Sequence, residues 1–588
     1  MNISDILTTK NAQFYKLKKP LTKTKILLAL GEASEERIGN HVAKEVKVNY
    51  TTPGQVQIQY SLVCFKTSTE PSFLQGTGLR EIKFSFILLI ELDDTLVVFK
   101  KNADLSETSL FDFIEDFDYE QFCHFQGDKN PEYERITMKN MSISNAVIRS
   151  RSLEAKNLDG IVSSNYSSRA IPSNFRVKSG QEIFTLTPNT ARIGYRDKKS
   201  NFDQIVDWAF ETKEEIKRTT RCSGFINSFA SPINLSEILS KGHNLSALLI
   251  DTSEIEEKME KGELSLYVNG GLFSQEKANR LFSALKSPLI IENSFLKFKG
   301  RNTGSSIKAS TQAIFIKSKI FESITLVEDG VADSTLSSYL NKTKPFSAVF
   351  DTPTYSYYSR SCFEDRNLVN SLPSILNVFD DSIDLGQIFS EKQKPHLPNI
   401  TEFPENSLFR SIESIYCKDH EIIICDDMND EWADHIAIDY TSSTPSISFI
   451  HSKFTKKDSQ GASAFHEVVA QALKNIGRTQ ANTESYRIKY ETKWINNYEN
   501  TQIKRVTRAE DWQELENALK IVENNPNSLK KIVLATPFIK KSELIDAFRE
   551  IEQGIQCKPH TTQLIWLINT FISCCKEYGV QAKILCKP

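Results

Sequence analysis

The sequence predicts a multidomain protein of the α+β and α/β classes, in which a mixed α+β N-terminal region of unassigned fold precedes a C-terminal αβββαβ core. The first observation is length, because 588 residues correspond to roughly two to four domains with ample core in each. The second is composition, since 39% hydrophobic and 25% charged residues are typical of soluble globular proteins. The third is a succession of strand, strand, strand and helix patterns between residues 404 and 478.

Three domains are predicted along the chain. Residues 1–150 are rich in strand patterns, and residues 151–395 mix strands with helices, including an apolar helical stripe over Asn201–Lys217. We interpret this second domain as a sensor or assembly module. Residues 404–588 combine the αβββαβ core with an α/β extension. The proline-rich stretch Lys392–Pro404 is typical of a linker, so we expect it to separate the last two domains.

The predicted core starts with a helix and continues through three strands into a second helix. Apolar residues alternate along the second strand, which places Ile436 and Ile438 on one face and Ala437 on the other. The second helix carries an apolar stripe from Phe465 to Ile476, and Gly477 follows its end. The first helix and the three strands are predicted over Glu405–Tyr416, Ile422–Cys425, Ala433–Asp439 and Ile447–Lys453.

Three polar side chains interrupt the apolar pattern of the second and third strands. A hairpin between these strands brings Asp434 close to His451 and Lys453. Burying such groups in apolar strands costs free energy unless they are paired or functional. A carboxylate is a hard oxygen ligand for a divalent cation, and a bound cation lowers the pKa of its water. Because a lysine can stabilise the developing negative charge, the set indicates phosphodiester hydrolysis.

This stretch resembles the PD-(D/E)XK, or restriction-endonuclease-like, nuclease superfamily over about residues 404–478. Asp434 matches the family's aspartate on the second strand, and Lys453 matches its lysine at the end of the third. Glu467 and Gln471 lie where some branches place helix residues that complete the site. The resemblance implies a hydrolase with Mg²⁺ or Mn²⁺ as cofactor, with Asp434 and Glu467 as metal ligands.

One position departs from the family pattern. His451 stands where the family has glutamate, and imidazole suits Mn²⁺ or Zn²⁺ better than Mg²⁺. The second carboxylate is then expected from Glu467 or Glu431, with Glu413 as a further candidate. The alternative interpretations are a structural, hydrogen-bonded His451 and a solvated helix face carrying Glu467 and Gln471. A lone strand aspartate followed by a lysine is also common in ordinary sheets.

A basic stretch follows the core and predicts contacts with nucleic acid. Arg478, Arg487, Lys489 and Lys493 lie close together in sequence and are interspersed with tyrosine and tryptophan. Basic side chains neutralise phosphates, and aromatic rings stack on bases. Glutamates in the same stretch leave a solvated helix face as the alternative interpretation.

Net charge, cysteine spacing and the length of apolar runs exclude several classes of protein. The net charge of −3 means that any nucleic-acid site is a local basic patch. The ten cysteines include no C-x₂-C pair, which argues against a structural zinc site. No run of 18 apolar residues indicates a membrane span, and no signal-peptide pattern is present, so we expect a cytoplasmic protein without a membrane partner.

The prediction is a metal-dependent endonuclease that cleaves nucleic acid, with DNA favoured over RNA. A large unassigned N-terminal region joined to such a core suggests an antiviral, anti-phage defence effector, by analogy alone. That region would regulate the nuclease by binding a partner protein, a small ligand or a second copy of the chain. The alternative is a catalytically degenerate nucleic-acid-binding or scaffolding protein on the same fold.

Overall fold

The computed structural model divides into two compact units. One comprises residues 1–139 and 150–231, and the other comprises residues 140–149 and 232–588. The structure describes the chain except for residues 1–2, 4–5, 35–40, 70, 75, 106–107, 142–149, 163–168, 220–223, 269, 287, 299–300, 311–312, 329–330, 359, 395–396, 429, 457–461, 554 and 556–557.

The first unit is built on one sheet, which has eleven strands in the described part of the chain. Its order is β2-β3-β4-β5-β1-β11-β10-β9-β7-β8, and β6 pairs with β1. The strands are β1 (Asn11–Leu17), β2 (His41–Thr51), β3 (Gln57–Thr69), β4 (Glu81–Leu92), β5 (Thr95–Lys101), β6 (Ile114–Asp116), β7 (Glu132–Asn140), β8 (Ser150–Glu154), β9 (Ala170–Ser179), β10 (Glu182–Thr187) and β11 (Arg192–Tyr195). The helices are α1 (Lys23–Ala33), α2 (Tyr119–Cys123) and α3 (Phe202–Arg218).

The helix α3 confirms the apolar stripe predicted over Asn201–Lys217. The Asn201 side chain accepts a hydrogen bond from the backbone N of Gln204 at 3.0 Å, and the Gln204 side chain accepts one from the Asn201 backbone N at 3.1 Å. This reciprocal capping box fixes the start of the helix. Its buried face places Trp208 against the rings of Phe14 and Phe99 on the sheet.

The first unit extends past the domain boundary predicted near residue 150. Strands β9 to β11 belong to the same sheet as β1, and Gln13 of β1 pairs with Arg192 of β11. Hydrogen bonds therefore join distant segments of the chain. For example, the Gln13 side chain donates to the backbone O of Thr190, 177 residues further along. Strand alternation carries no information about which distant strand is the partner, so the boundary had no signal in the sequence.

The N-terminal part of the second unit contains two sheets. Their orders are β12-β24-β23-β22-β13-β16-β17-β18-β19 and β15-β14-β20-β21. The strands are β12 (Ser231–Ile233), β13 (Leu245–Ile250), β14 (Leu264–Val268), β15 (Gly271–Leu272), β16 (Leu289–Glu292), β17 (Phe295–Phe298), β18 (Arg301–Ala309), β19 (Ile314–Ser318), β20 (Ile324–Glu328), β21 (Val331–Thr335), β22 (Phe346–Phe350), β23 (Tyr355–Tyr358) and β24 (Ser361–Glu364). The helices are α4 (Leu235–Ser240), α5 (Ser253–Glu260), α6 (Gln275–Lys286), α7 (Lys319–Glu322), α8 (Leu336–Thr343) and α9 (Arg366–Ile375).

The C-terminal part of the second unit is organised around a sheet of order β25-β31-β30-β28-β27-β26-β29. Its strands are β25 (Phe379–Asp380), β26 (Ile422–Cys425), β27 (His435–Asp439), β28 (Ser446–Ser452), β29 (Val506–Thr507), β30 (Leu529–Lys540) and β31 (Gln581–Lys587). The helices are α10 (Leu408–Ser411), which continues into a π turn (Ile412–Tyr416), α11 (Ala462–Asn475), α12 (Thr483–Lys489), which continues into a second π turn (Tyr490–Trp494), α13 (Trp512–Asn524), α14 (Lys541–Glu552) and α15 (Pro559–Glu577).

The predicted strand, strand, strand and helix order is observed in this sheet. Strands β26, β27 and β28 form an antiparallel meander, α11 follows, and β30 then pairs parallel to β28. The predicted alternation is confirmed, because Ile436 and Ile438 pack with Trp494 on one face. Ala437 and Ile450 pack on the other face, against Leu408 of α10.

The stretch Lys392–Pro404 is not a linker between compact units, contrary to the prediction. Ser390 forms a β-bridge with Ser407 on either side of it, and Phe403 is buried in a cluster with Phe409. Of the three prolines that suggested a linker, Pro395 lies outside the described residues. Proline interrupts helices and strands both in linkers and in irregular segments that pack within a domain. Its presence alone therefore did not distinguish a linker from a packed segment.

Candidate functional site

The loop between β26 and β27 carries most of the acidic residues near the predicted site. Asp426 and Asp427 directly follow β26, and Asp434 directly precedes β27. The backbone N of Asp426 donates to the backbone O of Asp434 at 2.9 Å, so the two ends of the loop are joined. The backbone N of Ser452, the last residue of β28, donates to Asp434 Oδ2 at 2.7 Å. These bonds hold the Asp434 carboxylate at the edge of the meander.

Three carboxylates converge at this edge of the sheet. Asp427, Glu431 and Asp434 each offer an oxygen, and these oxygens all lie within 4.8 Å of one another. We call these residues the acidic cluster. Asp434 is 6% exposed, whereas Asp427 and Glu431 are partly exposed, so the cluster extends from the interior to the surface. This spacing is that of oxygen donors able to share one cation.

The protonation of the cluster reflects burial and mutual repulsion. Burial raises the pKa of Asp434 well above its usual value, and the neighbouring Glu431 raises it further, against the hydrogen bond from Ser452. Burial, followed by the charge of Asp427, raises the pKa of Glu431 to about 6. Two of the three acids therefore resist ionisation in the absence of a compensating positive charge.

Lys392 supplies a positive charge at the surface side of the cluster. Its Nζ lies 2.6 Å from Asp427 Oδ2, and the Tyr498 hydroxyl donates to the same carboxylate at 2.7 Å. Burial favours neutral Asp427, but the hydrogen bonds from Lys392 and Tyr498 outweigh it and hold its pKa below the usual value. Burial likewise opposes the charge on Lys392, yet Asp427 and Asp434 raise its pKa. Lys392 is therefore a charged lysine at neutral pH.

Asp426 and its ion-pair partner Lys489 both have a structural role. Asp426 is fully buried, and it accepts hydrogen bonds from Trp432 N at 2.7 Å, Trp494 Nε1 at 2.7 Å and Lys489 Nζ at 2.5 Å. Lys489 also donates to the backbone O of Asp430 at 2.9 Å. Lys489 was predicted to contact nucleic acid, but its buried ammonium instead fixes the loop that carries the acidic cluster.

Lys453 and Glu467 pair with each other in the structure. Lys453 directly follows β28, and its Nζ lies 2.6 Å from Glu467 Oε1 on α11. Glu467 is exposed and is not a member of the acidic cluster. Gln471 lies one helical turn further along α11 and is partly buried. Lys453 is thus the next residue after Ser452, whose backbone N donates to Asp434. The ammonium group of Lys453, however, is paired with Glu467 on α11.

His451 is buried within β28 and is 2% exposed. Burial lowers the pKa of His451 to about 4, so the imidazole is neutral at neutral pH. Its Nδ1 has no hydrogen-bond partner among the described residues. Like Glu467, it lies outside the acidic cluster. Glu413, a further candidate, lies outside the acidic cluster, and its Oε1 lies 3.3 Å from Nε2 of the buried His435, whose ring packs edge-on against Phe409.

The other three predicted nucleic-acid contacts lie on the surface. The guanidinium of Arg478 lies 5.9 Å from the ring centroid of Trp432. Arg487 is paired with Glu491 one helical turn away, at 2.9 Å. Lys493 is exposed on the π turn that follows α12. Their exposure is compatible with phosphate binding, and their role stays a prediction.

Three residues of the site were not predicted from the sequence. Lys392 was assigned to the linker, and Tyr498 and Asp427 were not among the predicted site residues. For Asp427 a signal exists, because two consecutive aspartates follow a strand. Lys392 carried no such signal, because its contact with Asp427 joins segments 35 residues apart.

Comparison with known proteins yields no relative. The chain matches no protein-family model, no curated protein and no solved structure. Within the described residues, no helix has the length and apolar content needed to cross a membrane.

Proposed function

We propose that this protein is a divalent-metal-dependent nuclease that hydrolyses phosphodiester bonds in nucleic acid, with DNA favoured over RNA. The convergence of Asp427, Glu431 and Asp434 carries the proposal, because three carboxylates within 4.8 Å repel one another when ionised, and a divalent cation between them would offset that repulsion. Burial, followed by the charge of a neighbouring carboxylate, raises the pKa of both Glu431 and Asp434.

The donor atoms of the cluster fit Mg²⁺ or Mn²⁺. All three ligands are carboxylate oxygens, which these hard cations prefer, and no sulfur or imidazole ligand belongs to the described cluster. The ion would supply a bound water of lowered pKa and would offset negative charge on the scissile phosphate. In this proposal Glu431 takes the place of Glu467, which the family resemblance had favoured as ligand.

The chain's own residues then have separate roles. Lys392 lies beside Asp427 and stabilises negative charge that develops on the phosphate as water attacks and the sugar oxygen leaves. Tyr498 orients the Asp427 carboxylate through its hydroxyl hydrogen bond. Ser452 fixes Asp434 through its backbone N. Lys453 would act at the phosphate only after leaving Glu467.

The order of elements supports the resemblance to the PD-(D/E)XK superfamily. The helix α10, the meander β26-β27-β28 and the helix α11 follow one another, and the parallel strand β30 completes an αβββαβ arrangement after the intervening α12, β29 and α13. Asp434 stands at the start of the second strand and Lys453 at the end of the third, as the family pattern requires. We therefore retain both residues in the proposed site.

The test is cleavage of plasmid, single-stranded DNA and RNA by the full chain with Mg²⁺ and with Mn²⁺. We expect metal-dependent cutting that Asp434→Asn and Glu431→Gln each reduce about 100-fold or more, a loss typical of removing one group that stabilises the transition state. Lys520→Ala is the control, since Lys520 is exposed and paired with Glu516 on the surface. Cutting that persists in Asp434→Asn contradicts the proposal.

A second candidate function is a degenerate nucleic-acid-binding or scaffolding protein. Two observations favour it: Lys453 is engaged by Glu467, and the family's glutamate is replaced by the buried, neutral His451. Binding of nucleic acid without cutting, under every metal tested, would establish this candidate over the nuclease.

The biological setting is also part of the proposal. We infer a cytoplasmic anti-phage effector whose N-terminal region responds to a partner protein, a small ligand or a second copy of the chain. Plaque counts on cells that express the wild-type chain or Asp434→Asn test this setting. Protection that does not depend on Asp434 would separate the defence role from cleavage.

A further inference from the structure

An open pocket lies directly beside the acidic cluster. Its volume is about 630 Å³, within the range of small-ligand sites. Lys392 is the shared element, because it lines the pocket and also contacts Asp427 of the cluster. The pocket is therefore adjacent to the proposed site. Besides Lys392, its lining includes Phe389, Glu391, Lys394, Asn406 and Lys456.

Lysines outnumber acidic residues in the pocket lining, although the whole chain is slightly acidic. Three lysines and one glutamate line it, whereas the chain carries a net charge of −3. The glutamate is engaged, since Glu391 Oε2 accepts a hydrogen bond from the backbone N of Phe454 at 3.1 Å. This local concentration of lysine side chains is a feature expected of a site for an anionic ligand.

Two of the lysines are accessible to such a ligand. Lys456 is exposed, and Lys394 is exposed and paired with Glu499 on the surface. An exposed ion pair contributes little free energy, so Lys394 can exchange Glu499 for a phosphate. Lys392 is held by Asp427, which leaves it at the boundary between pocket and cluster.

The pocket also offers an apolar surface. The Phe389 side chain is 64% exposed at its rim, although a large aromatic side chain is ordinarily buried. An exposed ring beside lysines is the combination that single-stranded nucleic-acid sites use, with stacking on the base and ion pairing to the backbone. Gln393 and Asn406 add amide groups that hydrogen-bond to sugars and bases.

We propose that this pocket binds a single nucleic-acid strand next to the phosphodiester group placed at the acidic cluster. Lys394 and Lys456 contact backbone phosphate, and Phe389 stacks on the adjoining base. The inference rests on the proposed nuclease function and names the part of the substrate that the site holds. It adds nucleic-acid contacts outside the predicted basic stretch, and one of them, Lys394, lies in the segment that was predicted to be a linker.

The test measures binding without cleavage. Fluorescence anisotropy of a labelled 12-nucleotide single-stranded DNA is followed in the full chain carrying Asp434→Asn. Adding Lys394→Ala and Lys456→Ala weakens binding about 10-fold or more, and it reduces the slope of log affinity against log salt by about 1.4 for two lost phosphate contacts. Phe389→Ala weakens binding about 5-fold or more.

The matched control is the double variant Lys474→Ala and Lys520→Ala. These lysines are exposed like Lys456 and Lys394, and Lys520 is likewise paired with a surface glutamate, yet neither lines the pocket. The control variant binds as tightly as its parent. Equal loss of binding in the two double variants, or no loss in either, overturns the proposal.

Two further outcomes separate the alternatives. If thymidine 5′-monophosphate displaces the oligonucleotide at equal concentration, the pocket holds a free nucleotide and the strand proposal is overturned. If the pocket variants lose binding while the wild-type chain cuts no substrate, the pocket stands and the nuclease proposal fails. If the wild-type chain cuts and the pocket variants bind normally, only the pocket inference fails.

Discussion

Two adjacent aspartates in this chain have opposite environments. Asp426 is buried and satisfied by Lys489 and two tryptophans, whereas Asp427 faces Glu431 and Asp434. The residues are identical in chemistry and follow the same strand, so the sequence did not distinguish them. The difference arises because successive side chains at a strand end point to opposite sides. One becomes a structural anchor and the other a candidate ligand.

At neutral pH the cluster destabilises the metal-free protein, and this predicts a pH dependence. The pKa of Glu431 is about 6 in the folded protein, against an ordinary value of 4.5 when unfolded. The folded state therefore binds this proton more tightly, so the contribution of Glu431 to stability is fully present below pH 4.5 and is lost as the pH rises through 6. Glu431→Gln removes the part of the decline that Glu431 causes, which is roughly 1 kcal/mol because partial exposure weakens the effect.

The measurement is the urea midpoint of the metal-free protein between pH 4 and 7. Glu467→Gln is the control, because Glu467 lies outside the cluster, and it keeps the wild-type decline. If Glu431→Gln and wild type lose stability in parallel over this range, the electrostatic account of the cluster is wrong.

Lys489 provides a second prediction at the residue scale. Lys489→Ala leaves the buried Asp426 carboxylate without its cation and destabilises the protein by about 3–5 kcal/mol. Lys493→Ala, which removes an exposed lysine from the same stretch, changes stability by less than about 0.5 kcal/mol. Urea unfolding compares the two. A Lys489→Ala protein of wild-type stability that no longer binds DNA would instead restore the nucleic-acid role predicted from sequence.

At the scale of elements, local patterns succeeded where one face of a strand or helix is apolar. The alternation in β27 and the stripe of α3 both predicted the observed elements, because burial of one face sets a period of two or 3.6 residues. The site was only partly predictable. Asp434 was found because a polar group interrupts an apolar pattern, but Lys392 lies in irregular chain where no periodicity exists.

The helix α12 positions Lys489 and is itself fixed at its start. The Asn482 side chain accepts hydrogen bonds from Ser485 N at 3.0 Å and Ser485 Oγ at 2.8 Å. Asn482→Ala removes this cap and destabilises the protein by about 1 kcal/mol, whereas Asn482→Ser keeps a capping oxygen and most of the stability. Thermal unfolding of the two variants checks this. Equal loss in both would show that the cap is not the source of stability.

At the scale of the whole molecule, the C-terminal sheet does not stand alone. The helix α15, buried along most of its length, contacts α11 of that sheet's layer and also β22 of the nine-stranded sheet. Ile383, Leu385 and Ile388 pack against the seven-stranded sheet from the segment before the predicted boundary at 404. These contacts were not predicted from the sequence, because the periodicity of a strand or helix shows which face is buried but not which other sheet covers it.

This packing predicts which fragment folds. A fragment of residues 231–588 contains every member of the proposed site with its supporting core, so we expect it to be folded and to bind Mn²⁺. A fragment of residues 404–588 lacks Lys392 and exposes α15, so we expect it to aggregate. Circular dichroism and size-exclusion chromatography compare them. A stable, monomeric 404–588 fragment would support the boundary predicted from sequence.

The central claim is that Asp427, Glu431 and Asp434 together hold one divalent cation. A crystal of the full chain soaked in Mn²⁺ and measured for anomalous scattering tests it most directly. We expect one peak about 2.1 Å from an oxygen of each of the three carboxylates, a separation typical of small hard cations, and its absence in crystals of Glu431→Gln. No peak at the cluster, or a peak bound by Asp434 and Glu467 instead, would contradict the account.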